Sequence, residues 1–197
     1  MNRRSAEDTR TNILDTSLKI FSRLGYEGTN MRIIAKEAGL SVGALYLYHK
    51  SKEELFLTLL RRLFNDFFKE LELSIDEIND PCEQISAFVE TYMGLAKQHS
   101  EFIHIFSKEK GFAFGMELKK EYFHDLRKFV FSIIQNGIDK KVFTKHDGLE
   151  ATKIVISILR GYVISIAIDP DNLFNSHACT NLLLNGLIER DLHAVER

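Results

Sequence analysis

The stretch MRIIAKEAGLSVGALYLYH, residues 31–49, holds two short periodic segments separated by a glycine, and its reading decides what the first part of the chain is. Ile34, Ala35 and Ala38 share one face of a helix that Thr29 can cap and that Gly39 ends. Ser41 is the next cap, opening a helix over VGALYLYH after a turn of only Gly39 and Leu40. Two short helices joined so tightly must cross steeply, which is the helix-turn-helix arrangement. Ala35 is small enough for close approach, Gly39 can take the left-handed conformation that the turn requires, and Leu40 and Leu45 fill the space between.

Working outward, Ile13, Leu14, Leu18, Phe21 and Leu24 recur at helical spacing until Gly25, giving an amphipathic first helix. On the other side, Ser51 and Glu54 form a capping box for a fourth helix whose apolar positions run from Leu55 through Leu59, Leu60, Leu63 and Phe67 to Leu71. A polar linker, SIDEIND, follows. Asp80, Pro81 and Glu83 supply the cap, first-turn proline and early acid of a fifth helix lined by Phe88, Tyr92 and Leu95. A short sixth segment around SEFIHIFSK and a loop in KGFAFGM lead to a seventh helix from about Met116 to Gly137. Asp147 and Glu150 start an eighth, ended by Asp169 and Pro170 and apolar almost all round, so that it must be covered on more than one side. A ninth runs from about Leu173 to Glu189.

With 197 residues, 45% of them hydrophobic, only two prolines and few alternating runs, the chain reads as all-α, a small head joined to a larger body. The division is expected inside the fourth helix, with a head of residues 1–56 and a body of residues 57–197. Cys82 and Cys179 lie far apart and the polar start lacks the apolar core of a secretory signal, which fits a cytoplasmic protein. The longest apolar run, Ile154 to Ile168, has 15 residues with Arg160 at its middle and is short for a membrane span. Two apolar terminal helices invite a second copy of the chain, the alternative being burial within one copy.

The net charge of −2 hides an asymmetry: residues 1–52 hold nine basic and five acidic side chains, a balance of +4 that leaves −6 for the rest. The head can therefore meet a polyanion. Its third helix, capped by Ser41, opens with small residues, Gly43 and Ala44, that permit close approach to a groove. Donors at Thr29, Tyr46, Tyr48 and Lys52 suit phosphate oxygens on either side of it.

The stretch ILDTSLKIFSRLGYEGTNMRIIAKEAGLSVGALYLYHKSKEELF, residues 13–56, resembles the N-terminal DNA-binding domain of the tetracycline-repressor (TetR) family. The match in F…GY, in T before MRIIAKEAG, in S-VGALY and in KSKEEL falls at the family's spacing. The resemblance implies that Thr29, Tyr46, Tyr48 and Lys52 hold phosphates and that Arg32, Val42, Gly43 and Leu47, with Ser41 and Ala44 at the helix start, face base edges or the groove wall. Arg32 can read a guanine, hold a phosphate or stand in solvent. One departure stands out: Tyr48 and His49 occupy positions where the family has histidine then phenylalanine, and His49 is expected to be a satisfied, partly buried histidine.

For the body, the resemblance implies a ligand cavity among helices five to eight and pairing of the last two helices across a two-fold axis. Phe88, Tyr92, Phe102, Phe106, Phe112, Phe123, Phe131 and Tyr162 are the candidates to line that cavity, although aromatic residues at helical spacing also make ordinary core. Arg127 and Arg160 can anchor an acidic group of an effector, reach solvent or pair with an acid.

No glycine-rich phosphate loop, HExxH, GxSxG or paired-cysteine spacing is present, so no catalytic residue, metal site or cofactor is expected. The expectation is a sequence-specific DNA-binding transcriptional regulator, a homodimeric repressor released from a palindromic double-stranded operator by a small hydrophobic or amphipathic effector. The alternative is a metal-responsive or ligand-binding helical protein.

Overall fold

The computed structural model describes residues 3–100, 103, 115–144 and 147–187. Among them are eight α-helices and no strand: α1 (Arg3–Gly28), α2 (Met31–Glu37), α3 (Val42–Tyr48), α4 (Lys52–Ile75), α5 (Pro81–Gln98), α6 (Met116–Asp139), α7 (Gly148–Ile168) and α8 (Ser176–Leu187), with a 3-10 turn at Pro170–Asn172. The expected sixth segment and the loop after it fall almost wholly outside the described residues.

The helix boundaries follow from local chemistry. Gly25, at φ 72° and ψ 174°, interrupts α1 where the apolar periodicity stops. At the start of α2 the cap is Asn30, whose side chain accepts from the Ile33 amide at 3.0 Å, and not Thr29. The Thr29 hydroxyl turns inward and donates to the Gly25 carbonyl, four residues back, at 2.6 Å. Ser41 caps α3 through the Ala44 amide at 3.1 Å. Ser51 caps α4 through the Glu54 amide at 3.0 Å, but the Glu54 carboxylate reaches back to the amide of Lys50 at 2.9 Å. Asp80 and Asp147 each accept from two amides of the first turn of α5 and α7. The last helix begins at Ser176, not Leu173, because the Asn175 side chain takes the cap position and accepts from Ala178 at 2.8 Å.

The chain divides into two compact units, one of Met1–Asp66 with His99–Lys119, the other of Phe67–Gln98 with Lys120–Arg197. The division falls inside α4, C-terminal to the 56/57 boundary read from the sequence. In the first unit Ile13, Phe21, Ile34, Ala35, Leu45, Leu55, Leu59 and Leu60 close one core. Phe56 meets Phe21 and Tyr26 edge-on at 5.0 and 5.1 Å between ring centres. A fully buried side chain of this kind stabilises by about 1.5–3 kcal/mol, and it is this packing, not propensity, that holds helices as short as α2 and α3.

In the second unit α5 packs against both α7 and α8. Ile85, Phe88, Val89, Tyr92, Met93 and Ala96 of α5 and Val155, Ile156, Leu159, Tyr162 and Ile166 of α7 are buried. The 21-residue α7 extends past the 15-residue apolar run that marked it, and by length and hydropathy alone it would reach across a bilayer. Among the described residues it is not covered all round: Ile154, Ile164 and Ile168 stand out at 59, 53 and 77% exposure, and Leu182 of α8 at 72%.

Candidate DNA-binding face

The turn between α2 and α3 is built by a Schellman pattern. With Gly39 at φ +70°, the Leu40 amide returns to the Ala35 carbonyl at 2.8 Å and the Gly39 amide to Lys36 at 3.2 Å. From α1, the Asn12 side-chain amide adds a bond to the Ala38 carbonyl at 3.0 Å. Leu45, with no exposure, is the inward anchor of α3. Rolled about that anchor, α3 presents Val42, Gly43, Tyr46 and Leu47 outward, an arc of roughly 140° at 3.6 residues per turn. Leu47 is 87% exposed, and a Cβ at Gly43 would meet nothing within 4 Å. Arg32 and Lys36 of α2 and Lys50 just beyond α3 are exposed.

The residues expected on this face divide. Arg32, Val42, Gly43, Tyr46 and Leu47 are exposed; Ser41 is exposed but its hydroxyl is used as the α3 cap, and Ala44 is half-buried. The half-buried Tyr48 packs against the core of the unit. Thr29 is 2% exposed with its hydroxyl spent on Gly25, so it offers no donor to a phosphate. Lys52 turns back into the protein: its ammonium donates to the carbonyls of Tyr26 and Thr29 at 2.7 and 3.0 Å and lies 4.1 Å from the centre of the Tyr26 ring. At the end of α1 the Tyr26 carbonyl also accepts from the Thr29 amide at 3.3 Å, and Lys52 adds a charged donor to it and to the Thr29 carbonyl. The sequence reading counted Lys36 and Lys50 only in the charge of the head; both are exposed.

His49 ends α3, its amide donating to Leu45 at 3.0 Å. Its ring is 7% exposed and Nδ1 has no partner, so the expected satisfied histidine is an orphan instead. Burial pushes its pKa below the usual 6.5, with Glu54 of α4 raising it and Arg10 of α1 lowering it to lesser extents.

In the body, Phe88 and Tyr92 belong to a run of touching rings: Phe68 to Phe129 at 5.5 Å, Phe129 to Phe88 at 5.9 Å, Phe88 to Tyr92 at 6.0 Å, Tyr92 to Phe67 at 5.3 Å, Phe67 to Tyr122 at 6.1 Å and Tyr122 to Phe123 at 5.3 Å. The Arg160 guanidinium stacks 4.3 Å from the centre of Phe123. Burial drives the phenols of Tyr92 and Tyr122 upward in pKa; Arg160 opposes this at Tyr92, whereas Tyr92 itself adds to it at Tyr122. Tyr162 is buried beside Phe174, its hydroxyl without a partner.

Phe131 does not join the run. It is 37% exposed and would lie 3.3 Å from a Cβ at Gly148. The stripe Phe123, Arg127, Phe131 steps by four and drifts around the helix, whereas Tyr122 and Phe129, seven apart, stay in phase. Arg127 is half-buried; Phe102, Phe106 and Phe112 lie outside the described residues. A groove of about 550 Å³, lined by Lys69, Glu72, Leu73, Ile75, Asp76, Gln84 and Phe129, contains none of the expected effector residues.

Comparison with known proteins places this geometry. The profile of the family described as bacterial regulatory proteins, tetR family, matches residues 13–59. The nicotine-responsive transcriptional repressor HdnoR of Paenarthrobacter nicotinovorans is 26% identical over 91% of this chain and 94% of its own. The uncharacterized HTH-type transcriptional regulator YhgD of Bacillus subtilis is 28% identical over 66% of this chain and 70% of its own. A TetR transcription regulator from Haloarcula marismortui shares the fold, with a TM-score of 0.79 at 17% identity over 93% of this chain and all of its own. Residues 13–59 thus carry the match to the tetR family of bacterial regulatory proteins, and the all-helical architecture as a whole is that of solved TetR regulators.

Proposed function

We propose that this transcriptional regulator is a homodimeric repressor that binds a palindromic operator through two copies of the α2–α3 face and leaves it when a small hydrophobic or amphipathic molecule binds the body. The observation that carries the DNA reading is the outward arc of α3, exposed and stripped of a side chain at Gly43, together with exposed Arg32, Lys36 and Lys50. Tyr46 and Lys50 serve as phosphate donors, Lys50 taking the part expected of Lys52, and Arg32 reaches a phosphate or base beside the arc.

The dimer reading rests on the uncovered face of Ile154, Ile164 and Ile168 on α7 and Leu182 on α8. Exposed aliphatic side chains in such a row are the mark of an interface, and a two-fold axis through them uses the same patch twice. The effector reading rests on the ring run ending at Arg160 and on the relative named as nicotine-responsive. For release, an effector must favour the DNA-incompetent arrangement over the competent one, since equal affinity for both shifts nothing.

Duplexes selected from random DNA by the full chain test the core of this reading. Binding should be dimeric, to an inverted repeat, and should weaken linearly in log affinity against log salt. A salt-independent response, or no selected duplex, would refute it. Lys50→Ala should reduce the salt slope by about 1.

A further inference from the structure

The recognition arc has an unusual chemistry for a surface that must distinguish base pairs. Helix α3, VGALYLY, contains no arginine, lysine, asparagine, glutamine, aspartate or glutamate, the side chains that pair with base edges by two hydrogen bonds. What it offers instead is Leu47 at 87% exposure on one border of the arc, Val42 at 36% on the other, and Gly43 with Tyr46 between them. A leucine as exposed as Leu47 has no role in the fold of the unit.

We infer that Leu47, with Val42, reads thymine through its 5-methyl group, so that the operator half-site carries thymine where α3 enters the major groove. This rests on the DNA-binding reading above and adds the chemistry of its specificity. Thymine is the one base that presents an apolar group in the major groove. Gly43 removes the side chain that would hold the helix off the groove floor, since a Cβ there points into open space, and the neighbouring aliphatic groups then come within reach of base edges. Hydrogen-bond readout falls to Arg32 at the margin of the face, so discrimination at the middle of each half-site is methyl against no methyl.

The test uses the full chain and its selected duplex. Each thymine of a half-site is replaced singly by deoxyuridine, which removes one methyl group and leaves every hydrogen-bonding edge intact. One or two positions are expected to lose about three- to five-fold in affinity, the cost of one buried methyl, and 5-methylcytosine placed opposite guanine at the same position should bind better than cytosine. With Leu47→Ala the deoxyuridine penalty at one position should vanish, because the methyl no longer has a partner; the exposure of Leu47 leaves the fold of this variant intact. Uniform tolerance of deoxyuridine in a duplex that still binds with a normal salt slope overturns the methyl inference alone. A penalty that persists undiminished in both Leu47→Ala and Val42→Ala overturns it as well, and failure to select any duplex overturns both readings.

Discussion

His49 shows how one substitution in a short helix leaves a measurable mark. An imidazole lies where the family carries phenylalanine, and its buried Nδ1 finds no partner. An unsatisfied buried polar atom costs about 1–3 kcal/mol, so His49→Phe is expected to stabilise the head by about 1 kcal/mol or more in urea denaturation. The pH dependence has a definite sign. Burial lowers the folded-state pKa below 6.5, so in the window just below 6.5 the unfolded chain binds the proton more readily, and stability falls as pH drops through that window. The phenylalanine variant should lack this slope. Lys52 is the complementary case, a charge used inside the unit. Lys52→Met keeps the stem but removes the charged donor shared by the Tyr26 and Thr29 carbonyls; a stability loss of about 1–3 kcal/mol is expected, with the salt slope of DNA binding unchanged. An increase in thermal stability, or a flattened slope, would contradict that assignment. The burial of His49 was legible in sequence but its missing partner was not, and a lysine in KSKEEL carries no sign that it turns inward, because the carbonyls that hold it lie 26 and 23 residues back along the chain.

At the scale of elements, much more was legible. Capping side chains act over two or three residues, so Ser41, Ser51, Asp80 and Asp147 could be recognised from spacing alone, and all four accept from the amides expected of them. Thr29 failed as a cap because Asn30 beside it is as good an acceptor and the Thr29 hydroxyl is already used on the Gly25 carbonyl. In α6, Phe123 joins the ring run while Phe131 is exposed, a difference that single-helix periodicity does not resolve without knowing which neighbours pack on it. Glycines offer a contrast that tests the element geometry. At Gly39 the space is open but φ is +70°, and Gly39→Ala should cost about 1–2 kcal/mol from backbone strain. At Gly137 the backbone is helical, but a Cβ would run into the Phe143 ring. Gly137→Ala should therefore destabilise further unless Phe143 is also reduced to alanine. Equilibrium unfolding of the single and double variants measures both.

For the whole molecule, the outcome turns on the uncovered faces of α7 and α8. Leu182→Glu places a charge on a site that is 72% exposed in one chain, so it should leave the folded chain intact while producing monomers in sedimentation and abolishing high-affinity operator binding; persistent dimers would remove these helices as the interface. That the last two helices were apolar could be seen in the sequence, but not which residues face outward, since α7 is apolar on every side and its burial is decided by α5. A different consequence follows from the lengths of α2 and α3. Each has seven residues, too few to persist alone in water, and the Lys52 ammonium binds carbonyls 26 and 23 residues back along the chain. The two helices should therefore open together with the closure of their unit rather than fray one at a time. Amide hydrogen exchange should give Leu45 and Ile34 the same opening free energy, and a protease should find either the whole reading surface or none of it.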